Sequence, residues 1–362
     1  MNILDDYSQI KKLDRSNVLG SVRQLGLQLE QTVTELKDVE VPADYKNVDK
    51  VVVNGMGGSR LGARVTERLF SDNLKIPLIP IGSYDLPSYV DSKTLLILSS
   101  YSGNTEEIVM SHKQALERKA KIMIIAQGGK LAQLAKKHNY PGYYGFVPKY
   151  NPCNQPRMSI GYQMLSTVIL LSKAGLLKVK SKEIDNLPAW LAQIKEKYDM
   201  NVSFKDNKAK QLADKAHNYI PVFSAAEFMM GALHVVRNQI NENAKQTAVY
   251  FETPELNHHL LEGLAFPRSN PKNLYFVYFE SELYHPRNIK RIEITKRLLK
   301  KNKISVESLK LTGKTQLEQV FELIQFGGFL GFYMSMLNGI DPAPIPWVDY
   351  FKKELKNRRV EN

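Results

Sequence analysis

Two turns in the first third of the chain combine glycine with hydroxyl side chains in a pattern that could bind an anion. The first, GMGGSRLG, covers residues 55–62 and opens a helix-like segment; the second, SSYSGNTEE, covers residues 99–107. Their candidate ligands are Gly57, Gly58, Ser59, Ser100, Ser102 and Thr105. Glycine-rich turns and helix N-termini present unpaired backbone N–H groups, which suit a phosphate monoester.

Two nucleotide-binding motifs do not fit the first turn. A dinucleotide-binding fingerprint needs glycine where the chain has Arg60, and an acidic residue about 20 positions later. A Walker A loop needs a GK[ST] triplet, which is not present. The alternative is a plain strand–helix connection at each turn, in which Thr105 would cap the following helix. Two such turns on neighbouring strands favour a phosphate pocket over two unrelated caps.

A carboxylate and an imidazole in the second half of the chain could transfer protons. Glu242 follows a helix-like segment, and His258 comes later, in the segment PELNHH. Aldose–ketose isomerisation needs one group that moves a proton between C1 and C2 and another that opens the sugar ring. The alternative is that Glu242 caps a turn and that His258 and His259 lie on the solvated start of a helix.

Strand-like and helix-like segments alternate around the two turns. The predicted strands of the first half are VVV (51–53), IPLIPI (76–81), LLILSS (95–100), KIMIIA (121–126) and YYGFV (143–147). Nearly all-apolar strands that alternate with helices are typical of a parallel sheet buried on both faces. Ligands of such sheets bind at the carboxyl ends of the strands, which is where both turns lie.

The same alternation returns after a polar linker helix, which is predicted from about Pro188 to Asp206. Its predicted strands are IPVFSA (220–225), NLYFVYF (273–279) and KISVESLKL (303–311). The apolar segment 320–337 is predicted to be a buried helix rather than a membrane span, because Glu322 and Gln325 interrupt it.

The pattern therefore predicts an α/β fold with two doubly wound parallel-sheet halves, flanking helices and a C-terminal helix. The predicted parts are an N-terminal helical segment (1–45), a first domain with the phosphate pocket (46–180), a linker helix (181–204), a second domain with the acid–base residues (205–345) and a C-terminal helix (346–362).

Composition narrows the functional classes. The 362-residue chain is 43% hydrophobic and 24% charged, which is ordinary for a globular protein. Its net charge of +13 suits an anionic partner, but the basic residues are interleaved with acids, which favours a phosphorylated metabolite over nucleic acid or a membrane. Cys153 is the single cysteine, so an intrachain disulfide is excluded. With no apolar leader segment, the sequence indicates the cytoplasm.

Four motifs carry a resemblance to a known family. GMGGS and SYSGNTEE resemble the paired motifs of SIS (sugar isomerase) domains, which bind sugar phosphates. NQINENAK (238–245) and PELNH (254–258), with Pro156-Arg157 and the terminal DPAPIPWVDYFK, closely resemble the bifunctional phosphoglucose/phosphomannose isomerases of the phosphoglucose isomerase superfamily. The resemblance covers about residues 50–362 and implies two SIS-like halves.

The resemblance also implies roles for four side chains. Glu242 resembles the base for proton transfer, and His258 resembles the ring-opening histidine, which in this superfamily enters from the neighbouring subunit. Arg157 resembles the arginine beside the enediolate, its alternative being a surface salt bridge. Lys352 matches the family's terminal lysine. Two positions depart from the family pattern: Arg60 replaces a small residue and could narrow the pocket or add a phosphate contact, and His259 replaces asparagine.

Helical geometry also selects Lys352 among the terminal lysines. Four apolar side chains fall on one arc of the predicted terminal helix: Trp347, Val348, Phe351 and Leu355. Lys352 is nearer to this arc than Lys353 or Lys356, and it is therefore nearest to the side expected to be buried. The alternative is a solvated lysine.

The sequence thus predicts a homodimeric isomerase, without metal or other cofactor, that interconverts glucose 6-phosphate, and with it mannose 6-phosphate, with fructose 6-phosphate through a cis-enediol. No clustered His, Asp and Glu residues suggest a zinc-dependent phosphomannose isomerase. One rival is an SIS isomerase of a pentose or heptose phosphate, which product analysis would distinguish. Another is a sugar-phosphate sensor without catalysis, which would show no deuterium exchange at C2.

Overall fold

The computed structural model describes residues 3–357 and folds them into two four-stranded parallel sheets. The strands of the first sheet are β1 (Lys50–Gly55), β2 (Leu78–Ile81), β3 (Thr94–Ser99) and β4 (Lys121–Ile125). The strands of the second sheet are β5 (Ile220–Ala226), β6 (Val249–Thr253), β7 (Leu274–Glu280) and β8 (Ser305–Lys310). The strand orders are β2-β1-β3-β4 and β6-β5-β7-β8, so the two halves share one topology.

The pairing of the two inner strands, β1 and β3, explains why the two glycine- and hydroxyl-containing turns lie together. β3 is buried at every residue, and β1 at every residue after Lys50, as strands covered by helices on both faces require. Gly55 at the end of β1 pairs with Ser99 at the end of β3. The turns that follow these two strands therefore leave the same edge of the sheet side by side.

Helices surround both sheets. In chain order they are α1 (Tyr7–Leu13), α2 (Val18–Arg23), α3 (Leu25–Leu36), α4 (Gly58–Leu69), α5 (Glu106–Glu117), α6 (Gly129–His138), α7 (Ile160–Lys173), α8 (Ser181–Tyr198), α9 (Lys208–Ala216), α10 (Met230–Gln239), α11 (Leu256–Gly263), α12 (Asn270–Asn273), α13 (Pro286–Lys301), α14 (Gln316–Leu337) and α15 (Pro346–Asn357). A π-helical turn, Ile240–Ala244, continues α10.

Helix α14 forms the centre of the core. It begins at a capping box made by Thr315 and Glu318. The helix is long and apolar enough to cross a membrane by length and composition, but 94% of its most apolar stretch is buried inside the protein. A Cβ on Gly327 would come within 2.4 Å of the Val236 side chain, so α14 and α10 pack closely there. The prediction of a buried core helix in this segment is confirmed.

The predicted α/β fold of two parallel-sheet halves is confirmed, with three local differences. The segment 143–147 forms no strand, because the Gly142 turn and Pro148 flank it and only Tyr144 bridges to β4. The linker helix begins at Ser181 and contains Pro188 rather than starting there. Strand β6 was not predicted, because it is short and half-exposed and therefore has no continuous apolar run.

The C-terminal helix corrects a further expectation. α15 begins at Pro346, as predicted, whereas residues 358–362 of the predicted helix lie outside the described part of the chain. The apolar arc that was expected to be buried is exposed: Trp347 by 81% and Phe351 by 62%. No other described part of this single chain covers the arc, so burial gives no reason to select Lys352.

Candidate active site

The turn between β1 and α4 presents backbone N–H groups at the carboxyl edge of the first sheet. Gly57 has a φ of 50°, which glycine adopts without steric cost. A Cβ on Gly58 would lie 2.8 Å from the carbonyl oxygen of Pro156, so only glycine lets the turn pack this closely. Within residues 3–357, the N–H groups of Gly57 and Gly58 have no hydrogen-bond partner. They are therefore available to a ligand.

Ser59 ties the two turns together. Its side-chain oxygen accepts the N–H of Tyr101 at 2.8 Å, and its carbonyl oxygen accepts the hydroxyl of Ser99 at 3.0 Å. The residue is buried. Ser59 thus positions the turn after β3, and its own hydroxyl hydrogen remains to donate.

The turn after β3 brings two of its hydroxyl groups into contact. The side-chain oxygens of Ser100 and Thr105 are 2.7 Å apart, and Ser100 is fully buried. Ser102 is exposed, and its oxygen accepts the N–H of Asn104 at 3.2 Å. Gly103 has a φ of 70°, and a Cβ there would lie 1.8 Å from the Gly128 carbonyl oxygen, so the turn is tightly constrained.

The N-terminus of α5 is open toward this turn. Thr105 occupies the N-cap position, but its side chain makes no capping hydrogen bond, because its hydroxyl contacts Ser100 instead. The alternative in which Thr105 acts as a helix cap is therefore wrong. In the described chain, the N–H groups of Glu106 and Glu107 have no partner. Such N–H groups, at the positive end of the helix dipole, favour an anion.

Arg157 lies next to these turns, in a short helix formed by Pro156–Met158. It is 1% exposed, so the alternative of a surface salt bridge is wrong. It donates hydrogen bonds of 2.5–2.8 Å to Asn243 Oδ1, Gln155 Oε1 and the carbonyl oxygens of Pro342 and Ala343. Its Nη1 also lies 3.5 Å from Glu242 Oε2. One Nη1 hydrogen therefore remains for an oxygen atom beside Glu242.

Glu242 lies in the π-helical turn that continues α10. Its side chain is 31% exposed. Burial raises the pKa of this carboxyl above its ordinary value, while the positive charges of Arg157, Lys352 and Lys245 act to lower it. A raised pKa makes the carboxylate a stronger base for proton transfer.

Lys245 was not predicted as a site residue. Its Nζ donates to the carbonyl oxygens of Asn243 at 3.3 Å, Asp341 at 3.1 Å and Pro342 at 2.8 Å. Burial, followed by the charge of Arg157, lowers the pKa of Lys245 to about 8. Lys245 and Arg157 thus bind the same loop before α15. The lysine ends the NQINENAK motif, but nothing in its spacing indicates that its ammonium group folds back onto residues 341–342.

The two remaining predicted acid–base residues have different surroundings. Lys352 is on α15, and its charge acts on Glu242, so the structure brings these two together although the residue is exposed. His258 is exposed on α11, and within residues 3–357 its imidazole forms no hydrogen bond or ion pair with Glu242. The neighbouring His259 is also exposed, with its ring 6.0 Å from that of Phe251.

Arg60 lies on the far side of the first turn. A Cβ on Gly82 would come within 2.8 Å of Arg60 Nη1, so the guanidinium group lies at the end of β2. β2 and β3 flank β1 on opposite sides. Arg60 is therefore directed away from the hydroxyl groups that follow β3.

The arrangement joins an anion site to a proton-transfer site. The Pro156 carbonyl contacts the position of Gly58, and the next residue, Arg157, contacts Glu242. A ligand with a phosphate at one end would therefore have its other end near the carboxylate. In the described residues, no three His, Cys, Asp or Glu side chains form a group that could hold a metal ion.

Comparison with known proteins identifies relatives of the chain. Residues 205–355 match a model of the bacterial phospho-glucose isomerase C-terminal SIS domain. A bifunctional phosphoglucose/phosphomannose isomerase from Caldicellulosiruptor bescii is 34% identical over 340 residues, which cover 92% of this chain and 98% of the relative. One from Aquifex aeolicus is 30% identical over 318 residues, covering 88% of this chain and 93% of the relative.

A solved structure has the same fold. A hypothetical protein from Thermus thermophilus superposes with a TM-score of 0.72 at 18% identity, covering 94% of this chain and 90% of that protein. At this identity the likeness concerns the fold alone. The fold and the sequence relatives together agree with the two SIS-like halves that the motifs predict.

Proposed function

The chain belongs to the bifunctional phosphoglucose/phosphomannose isomerase family and is an aldose–ketose isomerase, and we propose that Glu242 carries its proton transfer. Its substrates are glucose 6-phosphate and mannose 6-phosphate, and both give fructose 6-phosphate. The observation that carries the assignment of the site is the juxtaposition of Glu242 with Arg157 beside an uncapped helix N-terminus.

The phosphate group of the substrate binds between the turns after β1 and β3. Unpaired N–H groups at Gly58, Glu106 and Glu107 donate to its oxygens. The Ser100–Thr105 hydroxyl pair adds one further hydrogen bond, because one of its two hydrogens is used in the bond between the two oxygens. Ser59 holds the two turns together and Ser102 lies at the exposed rim. This end of the substrate stays fixed while the other end reacts.

Glu242 then moves the proton. In the open-chain aldose the carboxylate removes the proton from C2, the C2–H electron pair forms the C1–C2 double bond, and the carbonyl oxygen at C1 takes the negative charge. The hydroxyl proton then passes from O2 to O1, and transfer of a proton from Glu242 to C1, as the double bond shifts to C2=O, gives the ketose. Partial exchange of the proton on Glu242 with solvent labels the product in D₂O. The raised pKa of Glu242 suits both steps, because the group must accept and release one proton in each turnover.

Two cations stabilise the enediolate that forms between these steps. Arg157 keeps one Nη1 hydrogen free on the side of Glu242, and Lys352 places a positive charge close to the same carboxylate. Fixed positive groups lower the barrier most where charge develops in the transition state. In this proposal the cationic side chains stabilise the oxyanion without a metal ion.

Ring opening requires a second proton carrier. We assign it to His258 of a second copy of the chain in a homodimer, which is supported by the exposure of His258 on α11. The exposed apolar arc of α15 gives a second copy a surface to cover. A cytoplasmic location suits the free, buried Cys153.

One carboxylate serves both epimers. Glucose 6-phosphate and mannose 6-phosphate differ only in configuration at C2 and pass through the same enediol. With the phosphate held by the two turns, rotation about C2–C3 after ring opening presents either face of C2 to Glu242. Dual specificity therefore needs one base and room around C1 and C2, rather than two bases.

A product assay tests the function. One purified sample is incubated with each epimer in D₂O, and fructose 6-phosphate and deuterium at the exchanging carbon are measured. We expect product and exchange from both epimers. Mannose 6-phosphate activity below about a thousandth of the glucose 6-phosphate value, roughly 4 kcal/mol of discrimination, would contradict dual specificity. Binding without exchange would indicate a sensor.

Subunit mixing tests the histidine assignment. Glu242→Gln and His258→Ala chains are inactive alone in this proposal, but a mixed dimer contains one site with both groups. Random reassembly gives half mixed dimers with one working site each, so we expect roughly a quarter of the wild-type activity. The same mixture made with His259→Ala distinguishes the two imidazoles. Activity that never exceeds the sum of the separate variants would place ring opening within one subunit.

A further inference from the structure

Three arginine side chains beside the first turn lie close together, and none of them forms an ion pair with a carboxylate in the described chain. Arg60 and Arg64 are one turn apart on α4, and Arg237 is on the adjacent helix α10. The two helices pack closely, because a Cβ on Gly231 of α10 would come within 2.5 Å of the Val65 Cα on α4. Burial and the positive charge of Arg64 both act to lower the pKa of Arg60, as expected of two arginines one helical turn apart.

His234 and Tyr250 complete the cluster. The Arg237 guanidinium lies 5.2 Å from the centre of the Tyr250 ring, and the His234 ring centre lies 5.3 Å from that ring. Burial and all three arginines lower the pKa of His234 to about 4, so its imidazole is neutral at physiological pH. We call these five residues the arginine cluster: Arg60, Arg64, His234, Arg237 and Tyr250.

The polar atoms of the cluster lack partners within residues 3–357. Nε of Arg64, Nε of Arg237 and Nδ1 of His234 are buried and make no hydrogen bond there. The nearby carboxylates of Glu67 and Glu252 both form ion pairs with Arg68. The charge of Arg64 also acts to lower the pKa of Glu67, but in the described chain no carboxylate lies within ion-pair distance of a cluster arginine. Three unpaired cations repel one another, and buried N–H groups without acceptors destabilise the fold.

A multivalent anion would reduce the repulsion between the arginines and supply acceptors for their buried N–H groups. Guanidinium groups bind phosphate and carboxylate oxygens through paired hydrogen bonds, and several on one surface select an anion of more than one charge. The half-buried arginines keep part of their surface open to solvent, so a small ion can reach them. Arg68, on the same helix, is by contrast paired with two carboxylates, as expected of an arginine with a structural role.

We propose that the arginine cluster is a second anion site, which binds a small phosphate-bearing anion separately from the sugar-phosphate turns. The site lies between the end of β2 and strand β6, whereas the substrate phosphate binds after β1 and β3. The phosphate has two sources that share this chemistry: a hexose phosphate, or a phosphate compound without a sugar. The experiment distinguishes them.

The probe is inorganic pyrophosphate, titrated calorimetrically into the full-length protein. A Ser100→Ala/Thr105→Ala background weakens the substrate phosphate site, and the arginine cluster is then tested by adding Arg64→Gln and Arg237→Gln. Arg68→Gln in the same background is the matched control. We expect the cluster variant to lose pyrophosphate affinity by roughly tenfold or more, the scale of one lost charged hydrogen bond, and the Arg68 variant to keep it.

Stability and assembly provide a second measurement. Pyrophosphate should raise the melting temperature of the background and of the Arg68 control, but not that of the cluster variant. The same titration with glucose 6-phosphate identifies the source: loss at the cluster with both ligands indicates general phosphate binding, and loss with pyrophosphate alone excludes the sugar ester. Equal affinity in all variants would overturn the proposal. So would a cluster variant that weakens only dimerisation in sedimentation, because a second copy would then supply the partners.

Discussion

The two halves of this molecule share a strand order and differ in what occupies the turn after the third strand. After β3, the helix N-terminus is uncapped and the hydroxyl groups of Ser100 and Thr105 face each other. After β7, a carboxylate of the protein occupies the corresponding turn. Glu227 accepts the N–H of His285 at 2.8 Å and the side-chain N–H of Asn288 at 2.7 Å.

The difference shows that the shared topology places a helix N-terminus after the third strand of each half. It does not decide whether the N–H groups there stay free for an anion. α13 is also capped by the imidazole of His285, which accepts the N–H of Arg287 at 3.1 Å. Its donors are therefore used within the chain, while the first two of α5, the N–H groups of Glu106 and Glu107, have no partner in residues 3–357. The second half contributes Glu242 at the end of α10 instead. In the proposed mechanism, one half binds the substrate phosphate and the other supplies the proton carrier, although their sheets are built alike.

The largest effect is expected from Glu242→Gln. The amide keeps the shape and the hydrogen bonding of the side chain but cannot accept the C2 proton. We expect kcat to fall by roughly 10²–10⁴ for both epimers with little change in KM. The matched control is Glu227→Gln. It alters a carboxylate that follows β5 and reaches the turn after β7, and it should leave kcat within about twofold. Near-normal turnover in Glu242→Gln would remove Glu242 from the mechanism.

The next effect concerns the open turn itself. Ser100→Ala and Thr105→Ala each remove one hydroxyl of the pair that we propose binds the phosphate, so each should weaken hexose phosphate binding by roughly 1–3 kcal/mol, measured as KM and by calorimetry. Ser281→Ala is the control: it removes the hydroxyl that follows β7, which accepts the N–H of Leu283. Equal losses in all three variants would mean that the two turns do not differ in binding.

The sequence predicted correctly that the two glycine- and hydroxyl-rich turns follow neighbouring strands, because the determinants of that placement are local. Glycines, hydroxyls and an apolar strand appear within a few residues of one another, and the strand order that aligns them follows from alternating strands and helices. The role of Thr105 was less accessible from sequence. A threonine before two glutamates has the pattern of an N-cap, and only the position of Ser100 shows that its hydroxyl is directed elsewhere.

The residues around Glu242 were harder to predict, because their contacts join distant segments. Lys245 reaches the carbonyls of Asp341 and Pro342, which no spacing in the sequence connects to it. The predicted burial of the terminal helix was wrong for a different reason. Its apolar arc was correctly placed on one face, but periodicity cannot show whether the chain itself covers that face, and Trp347 is exposed.

A smaller effect is expected from Lys245→Met, which tests the cations around the carboxylate. Lys245, like Arg157 and Lys352, acts to lower the pKa of Glu242. Removing this charge should raise that pKa, so the acidic limb of the kcat/KM profile should move to higher pH, because Glu242 must be ionised to accept a proton. Turnover should fall by up to about fivefold, the scale of the ~1 kcal/mol of a partly exposed charge pair.

Lys245→Arg keeps the charge and should keep the acidic limb in place. Lys296→Met is the control in the second half, where the lysine pairs with Glu280 at the end of β7. It should leave the pH profile unchanged. A shift of the acidic limb to lower pH in Lys245→Met would mean that the charge of Lys245 does not lower the pKa of Glu242.

The smallest effect is expected from Glu227→Gly, which opens the closed turn of the second half. Glu227 has a φ of 54°, which costs a non-glycine residue about 1 kcal/mol, whereas losing the contacts to His285 and Asn288 costs about as much as losing a helix cap. The free energy of unfolding should therefore change by less than about 1 kcal/mol.

The same variant also tests anion binding. If the Glu227 carboxylate occupies the position that a phosphate would occupy after β3, opening the turn should also create a weak anion site. In a Ser100→Ala background, inorganic phosphate should then raise the melting temperature of the Glu227→Gly variant more than that of its parent. Equal responses would mean that an internal carboxylate is not what closes the second half, and the contrast between the halves would rest on the hydroxyl groups of Ser100 and Thr105 alone.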